Sequence, residues 1–257
     1  MLVDEVVTYE RASGVATITI NRPEAANALN AAVRRGLVDA WREFEADEHS
    51  LVAILTGAGD RAFCAGADLR ELAENSMEGP AKDWVPIIGE NIEVSKPTIA
   101  AVNGAAMAGG FLMAQMCDLC VASENARFGI TEAKWGRGMA WAVPLLWMVP
   151  ERAVTELLLT AQPISAERGY ELGLVNRVVH PAKLLEVAET LATTIAENAP
   201  LTIGAALRVI RRRRHLTGMD EVRDLAEAEF EVVYASEDAQ EGPQAFKAGR
   251  APVWRGR

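Results

Sequence analysis

Two short, unbroken apolar runs, residues 51–55 and 98–102, constrain this chain more than any other feature. The first stops at Thr56-Gly57-Ala58-Gly59 and the second at Asn103-Gly104, both turn chemistry. Runs this short predict strands, and a strand apolar at every residue is one covered on both faces. Such strands belong to parallel sheets with helices packed over them. The flanking pattern agrees. Residues 15–20 alternate, with Ala16, Ile18 and Ile20 on one face and Val15, Thr17 and Thr19 on the other, which reads as a half-buried strand. Asn21-Arg22-Pro23 breaks it. Asn30 is placed to cap a helix whose Val33, Leu37, Trp41 and Phe44 share one side. Strands alternating with helices predict an α/β fold with buried parallel strands.

The second half reads as helical. After Pro181, residues Leu184, Val187, Ala188, Leu191, Ala192 and Ile195 recur at helical spacing. Pro200, Gly218 and Gly242-Pro243 punctuate further helical stretches. Residues 75–82, polar and containing Gly79-Pro80, read as the best candidate for a mobile loop. No fixed-period repeat or low-complexity tract interrupts the 257 residues. One α/β core over 1–200 with a helical region over 201–257 is the economical organisation.

Bulk properties exclude several classes. No run reaches the ~18 apolar residues of a membrane helix. The acidic start, Met1-Leu2-Val3-Asp4-Glu5, lacks the basic and apolar regions of a secretory signal, so a cytoplasmic protein is expected. Three cysteines, Cys64, Cys117 and Cys120, do not suggest a disulfide framework. Cys117 and Cys120 have CxxC spacing, but with no second pair and three histidines neither zinc nor any other metal is expected. Core packing is the reading for both. A formal net charge of −10 argues against nucleic acid, whose phosphates demand cations. It leaves room for an anionic small ligand, which sees local charge and backbone dipoles. Arg211-Arg212-Arg213-Arg214 with His215 reads chiefly as a solvated helix face, with a phosphate or subunit contact as the alternative.

Three segments could carry chemistry. In Ala62-Phe63-Cys64-Ala65-Gly66-Ala67-Asp68-Leu69 a glycine turn can aim a backbone amide at a ligand. In Asn103-Gly104-Ala105-Ala106-Met107-Ala108-Gly109-Gly110 a turn runs into an apolar helix whose Gly-Gly start exposes N–H groups. In Phe128-Gly129-Ile130-Thr131-Glu132 a carboxylate follows a turn. Each alone is ordinary loop geometry or a solvated helix start.

In this order and spacing they resemble the crotonase, or enoyl-CoA hydratase/isomerase, superfamily. The resemblance begins at Asn21-Arg22-Pro23, Asn27-Ala28-Leu29 and Leu55-Thr56-Gly57. It continues through the segment from Phe63 to Leu69, through Lys96-Pro97 into Thr98–Val102 and Asn103-Gly104, and through Ala108-Gly109-Gly110 and Cys117-Asp118. Ala126-Arg127-Phe128-Gly129, Glu132, Leu159-Thr160, Ile164-Ser165-Ala166 and Gly173-Leu174-Val175-Asn176 follow. Ser236-Glu237-Asp238-Ala239-Gln240-Glu241-Gly242 and Ala245-Phe246 close it. The resemblance implies a spiral of ββα units with a C-terminal helical trimerisation region, and a homotrimer or a hexamer. It implies a coenzyme A thioester as substrate, with no separate cofactor. One oxyanion amide falls on Ala67 and the other on Gly109, with Ala65, Ala67, Asp68, Leu69 and Arg70 along the CoA thioester.

Two departures bear on the reaction. The family's hydratases use two glutamates, one three residues after the second oxyanion glycine. Leu112 stands there, while the later glutamate matches Glu132. Adding water needs one group to orient the water and one to supply the α-proton. Moving a double bond needs a single base, and an aliphatic residue at 112 resembles the family's enoyl-CoA isomerases. Isomerisation with Glu132 as the catalytic acid/base is therefore favoured. Hydration with Glu71 or Asp68 recruited as a second acid, and non-catalytic acyl-CoA binding, are the alternatives. The second departure is the stretch from Gly136 to Pro144, where the bulky Met139 and Trp141 reshape the acyl pocket. Gly249 also replaces a lysine often near CoA phosphate, leaving Arg250 as the nearest cation.

Overall fold

A computed structural model describes residues 6–74, 84–213, 216 and 218–257; the loop expected over 75–82 lies outside them. The chain opens with an antiparallel pair, β1 (Val7–Ala12) and β2 (Val15–Ile20). Then comes α1 (Ala31–Ala46), capped as expected, with the Val33 N–H donating to Asn30 Oδ1 at 2.9 Å. Val33, Leu37, Trp41 and Phe44 are completely buried.

Three turns of a spiral follow one logic. β3 (Val52–Gly57) leads to β4 (Ala62–Cys64) and α2 (Leu69–Glu74). β5 (Thr98–Val102) leads to β6 (Ala105–Met107) and α3 (Gly109–Met116). β7 (Leu119–Ser123) leads to β8 (Arg127–Gly129) and two 3₁₀ segments, Glu132–Trp135 and Ala140–Trp147. The chain then runs through α4 (Glu151–Thr160), β9 (Ile164–Ser165), α5 (Ala166–Glu171) and β10 (Arg177–Val179). It ends in α6 (Leu184–Ala196), α7 (Pro200–Arg212), α8 (Met219–Tyr234) and α9 (Glu237–Ala248).

In each spiral turn the first strand joins a large sheet and the second a small one. Among the described residues the large sheet runs β1-β2-β3-β5-β7-β10, parallel from β2 onward. The small sheet runs β4-β6-β8-β9. The unbroken apolar runs are explained by burial on both faces. Ala53, Leu55, Ala100 and Val102 face the main core with Phe44, Phe63, Phe111 and Phe128. Val52, Ile54, Ile99, Ala101 and Val121 face the other way, against Leu184, Ala188 and Ala192 of α6. Each large aliphatic side chain so covered contributes roughly 1.5–3 kcal/mol. The ββα spiral with C-terminal helices is the expected architecture.

Several local expectations change. Residues 105–116 are not a turn running directly into a helix, because β6 comes first, paired on both sides by β4 and β8. Three residues of such pairing leave no periodic signature. Pro181 opens a 3₁₀ turn, and α6 proper starts at Leu184. Pro243 lies inside α9 rather than ending it. The helix is tied at its start, where the Arg255 and Gly256 amides donate to Asp238 at 2.8 and 2.9 Å.

The basic run is not a solvated face at Arg211. Its guanidinium meets both Asp118 oxygens, at 2.9 and 2.6 Å, and donates to the Val94 and Lys96 carbonyls. Arg208 and Arg212 pair with Glu229 of α8. Arg214 and His215 lie outside the described residues. The three cysteines are free and buried, and burial pushes the Cys64 and Cys120 thiols up to about 12. Thiols so raised are inert core groups. Among the described residues no helix is long and apolar enough to cross a membrane.

Candidate active site

The first two spiral turns press their strand-to-helix links together. Gly66 has φ +89°, and a Cβ there would lie 2.8 Å from Ala108 Cβ, 2.9 Å from the Met107 carbonyl oxygen and 3.4 Å from the Gly109 nitrogen. A Cβ on Gly110 would collide with the Cys64 carbonyl, so the start of α3 sits directly against the end of β4. Close packing of backbone on backbone is what these glycines permit.

Beside this contact two amides have no acceptor among the described residues. Leu29 bridges the 65–68 segment in parallel, its N–H donating to the Gly66 carbonyl at 2.8 Å and its carbonyl accepting from the Asp68 N–H at 3.3 Å. The bridge uses atoms of Gly66 and Asp68, so the Ala67 N–H points to the opposite side. Among the described residues it has no acceptor. Gly109 begins α3, and its N–H likewise has no acceptor among them. Ala108 before it holds φ 50° and ψ −122°, a conformation uncommon for an L-residue. Its N–H donates to the Gly129 carbonyl at 2.9 Å and its carbonyl accepts from the Leu112 N–H at 3.0 Å. Two neighbouring unpaired amides, one carrying the positive end of a helix, can hold one anionic oxygen.

Glu132 heads its 3₁₀ segment and is buried. The Trp141 Nε1–H donates to Oε1 at 2.6 Å, while Oε2 is buried without a partner among the described residues. Burial pushes its carboxyl above the ordinary glutamate range, against smaller pulls from backbone amides and the Trp141 bond. The Trp141 ring stands edge-on to Phe111 with centroids 6.2 Å apart, and Phe111 packs on Phe128 at 5.5 Å. Leu112, beside Phe111 on α3, is buried. The indole that meets the carboxylate is thus itself packed on apolar rings.

The other anticipated residues fall on one strip. The Ala65 N–H donates to the Ala26 carbonyl at 3.1 Å. Asp68 pairs with Arg22 at 2.7 Å and accepts the Arg70 N–H, and the guanidinium bond holds its carboxyl below the usual range. Leu69 is 52% exposed and Arg70 is exposed, both open to a ligand. Glu71 pairs with Arg34 at 2.6 Å and accepts the Ala31 N–H at the start of α1. Both Asp68 and Glu71 are thus ion-paired in the fold. Arg250 is engaged by Glu241.

Sequence reasoning missed Asn27 as an organiser. It is completely buried, accepts the Arg22 N–H, and donates to the Ala58 and Ala62 carbonyls at 3.0 and 2.7 Å. Its place in Asn27-Ala28-Leu29 was the only signal. It also missed that Trp141 reaches Glu132, because a 3₁₀ path has no periodicity to follow.

Residues 10–257 match the family model for enoyl-CoA hydratase/isomerase. The chain belongs to the enoyl-CoA hydratase/isomerase family. Members of it act on acyl-CoA, and this chain is an acyl-CoA enzyme of that family. A carnitinyl-CoA dehydratase from Salmonella typhi is 39% identical over 251 residues, covering 93% of this chain and 94% of the relative. An enoyl-CoA hydratase structure from Mycobacterium marinum superposes with a TM-score of 0.89 at 37% identity, covering 99% of this chain and all of that one. Another, from Mycobacterium tuberculosis H37Rv, gives 0.89 at 39% identity over 99% of this chain and 100% of that one.

Proposed function

We propose that the protein moves a double bond along an enoyl-CoA thioester, with Glu132 as the single general acid/base. The ionised Glu132 takes a proton from the α-carbon of a 3-enoyl-CoA. The electron pair passes into the thioester, and its oxygen becomes an enolate held by the Ala67 and Gly109 amides. The protonated Glu132 then returns the proton at the γ-carbon, leaving the conjugated 2-enoyl-CoA. Losing one such amide donor costs on the order of 3 kcal/mol in other oxyanion holes. The CoA thioester runs past Ala65, Asp68, Leu69 and Arg70.

The observation that carries this reading is the contrast between Glu132 and Leu112. One buried carboxylate has an oxygen without a partner among the described residues, and the position where the family's hydratases place their other glutamate is a buried leucine. A carboxyl raised by burial suits a group that must both take and give a proton near neutral pH. Leucine can neither orient water nor titrate.

The second reading is hydration or its reverse. It is favoured by the relatives named carnitinyl-CoA dehydratase. There Glu132 would take the α-proton of a 3-hydroxyacyl-CoA and protonate the departing hydroxyl. Incubation with a 3-enoyl-CoA and, separately, with crotonyl-CoA decides between them. Isomerisation alone supports the first reading. Water addition to crotonyl-CoA at a comparable rate supports the second, and no turnover of either would leave an acyl-CoA binder. Apolar residues exposed on α8 and α9, Met219, Val232, Tyr234 and Phe246, support assembly as a trimer or hexamer.

A further inference from the structure

Among the described residues, one oxygen of Glu132 accepts a hydrogen bond from a side chain, while the Thr131 and Glu132 amides also pull on the carboxyl. The Trp141 Nε1–H reaches Oε1 at 2.6 Å, and Oε2 has no partner among the described residues. A free carboxylate rotates and exchanges its two oxygens. One short bond to one oxygen makes the two oxygens inequivalent and opposes that exchange. Trp141 is itself fixed, since its ring abuts Phe111, which is completely buried and backed by the equally buried Phe128.

We propose that Trp141 is a positioning residue, whose indole N–H pins Glu132 Oε1 and leaves Oε2 as the oxygen that transfers the proton. This deepens the reading of Glu132 as the base and rests on it. The charged groups on the packed elements are Lys134 and Arg137 on the same stretch and Glu151, Arg152 and Glu156 on α4, and burial is the chief cause of the raised Glu132 carboxyl. The 3₁₀ segment Ala140–Trp147 carries no titratable side chain. Burial raises the Glu132 carboxyl and the indole bond opposes the rise. Removing the N–H therefore strengthens proton affinity as well as freeing the rotation.

The test uses three variants of the full chain: Trp141→Phe, 3-benzothienylalanine at 141, and Glu132→Gln. The thienyl isostere replaces the indole N–H by sulfur and keeps the ring shape, so it answers even where Trp141→Phe folds poorly. Turnover is followed against pH in whichever of the two assays above is active. In the isostere the acid limb of kcat/KM is expected to move to higher pH by about one unit. Its kcat at neutral pH falls about 10-fold, with KM changed less than about twofold. In the wild type the Trp141 indole proton resonance is expected to follow the titration of Glu132, and that response is expected to disappear in Glu132→Gln. An acid limb that stays in place, a change confined to KM, or an indole resonance indifferent to Glu132→Gln overturns the role of Trp141. Inactive Glu132→Gln with an unmoved limb in the isostere overturns that role alone. Near wild-type turnover by Glu132→Gln, or no turnover of either substrate by the wild type, overturns the reading of the base and this inference with it.

Discussion

Gly66 and Ala108 face each other so closely that a methyl group on the glycine would lie 2.8 Å from the alanine Cβ. That contact sets the spacing between the 65–68 link and the start of α3, hence between the Ala67 and Gly109 amides. Gly66 also sits at φ +89°, where a side chain is strained. Gly66→Ala is therefore expected to act on both stability and chemistry. A loss of about 2–3 kcal/mol in urea unfolding follows from overpacking and strain. Turnover of the folded fraction falls about 100-fold, because an oxyanion hole tolerates little displacement of its donors. Full activity at reduced stability would separate the packing contact from the geometry of the amides.

Glu132 places stability and activity in opposition. Its folded-state carboxyl is raised, mainly by burial. Folding thus favours the protonated form, and the cost of ionising it grows as pH rises from the ordinary glutamate range through the folded value. Above that value the cost is complete; below the ordinary range it is absent. Glu132→Gln is expected to stabilise the fold at neutral pH by about 1 kcal/mol and to show no gain near pH 3. Activity moves the other way, dropping at least about 1000-fold if this carboxylate is the base. In the wild type, kcat/KM declines toward acid with a midpoint above ~4.3, the ordinary glutamate value. Thermal unfolding of both proteins at the two pH values checks the stability half.

How much of this was readable beforehand depended on the kind of interaction. α1, β3 and β5 were legible because their burial writes a pattern into consecutive residues. Asn30 capping α1 was legible because a cap is a local bond. β4, β6 and β8 are three residues each, and pairing partners far along the chain decide them. The same holds for side chains. Ala67, Gly109 and Glu132 came from an ordered set of motifs, whereas the bonds from Trp141 to Glu132 and from Arg211 to Asp118 required the folded chain. The basic run misled because charge density in sequence does not say which guanidinium turns inward.

Arg211 ties α7 to the core. Its guanidinium meets Asp118, whose carboxylate also accepts the Thr98 N–H and hydroxyl, both at 2.9 Å. The pair is largely shielded, with side-chain exposures of 22% and 15%. Arg211→Met keeps much of the stem but leaves Asp118 without its cation and the Val94 and Lys96 carbonyls without a donor. The expected loss is about 2–4 kcal/mol. In an Asp118→Asn background the same change should cost clearly less, since no stranded charge remains. Equal losses in both backgrounds would assign the effect to the carbonyl contacts instead.

The Arg22–Asp68 pair makes the strip beside Ala67 sensitive to acid. Asp68 is largely buried, bonded to Arg22 at 2.7 Å, and its carboxyl is held below the usual range chiefly by that bond. A depressed folded value means the ionised form is favoured by folding. The resulting stability is complete above the unfolded value of ~3.9 and is lost as pH falls through the folded one. Arg22 also donates to the Ala28 carbonyl at 3.2 Å, and Leu29, the next residue, bridges Ala67. Losing the pair should therefore loosen the Ala67 amide before the whole fold gives way. Asp68→Asn is expected to lower stability by about 1–2 kcal/mol at pH 7. The gap to the wild type closes as pH falls below the folded value of Asp68, where both side chains are neutral. Urea unfolding from pH 7 down through the acid range measures it, and a gap that does not narrow toward acid would mean that shape rather than charge at position 68 holds the strip.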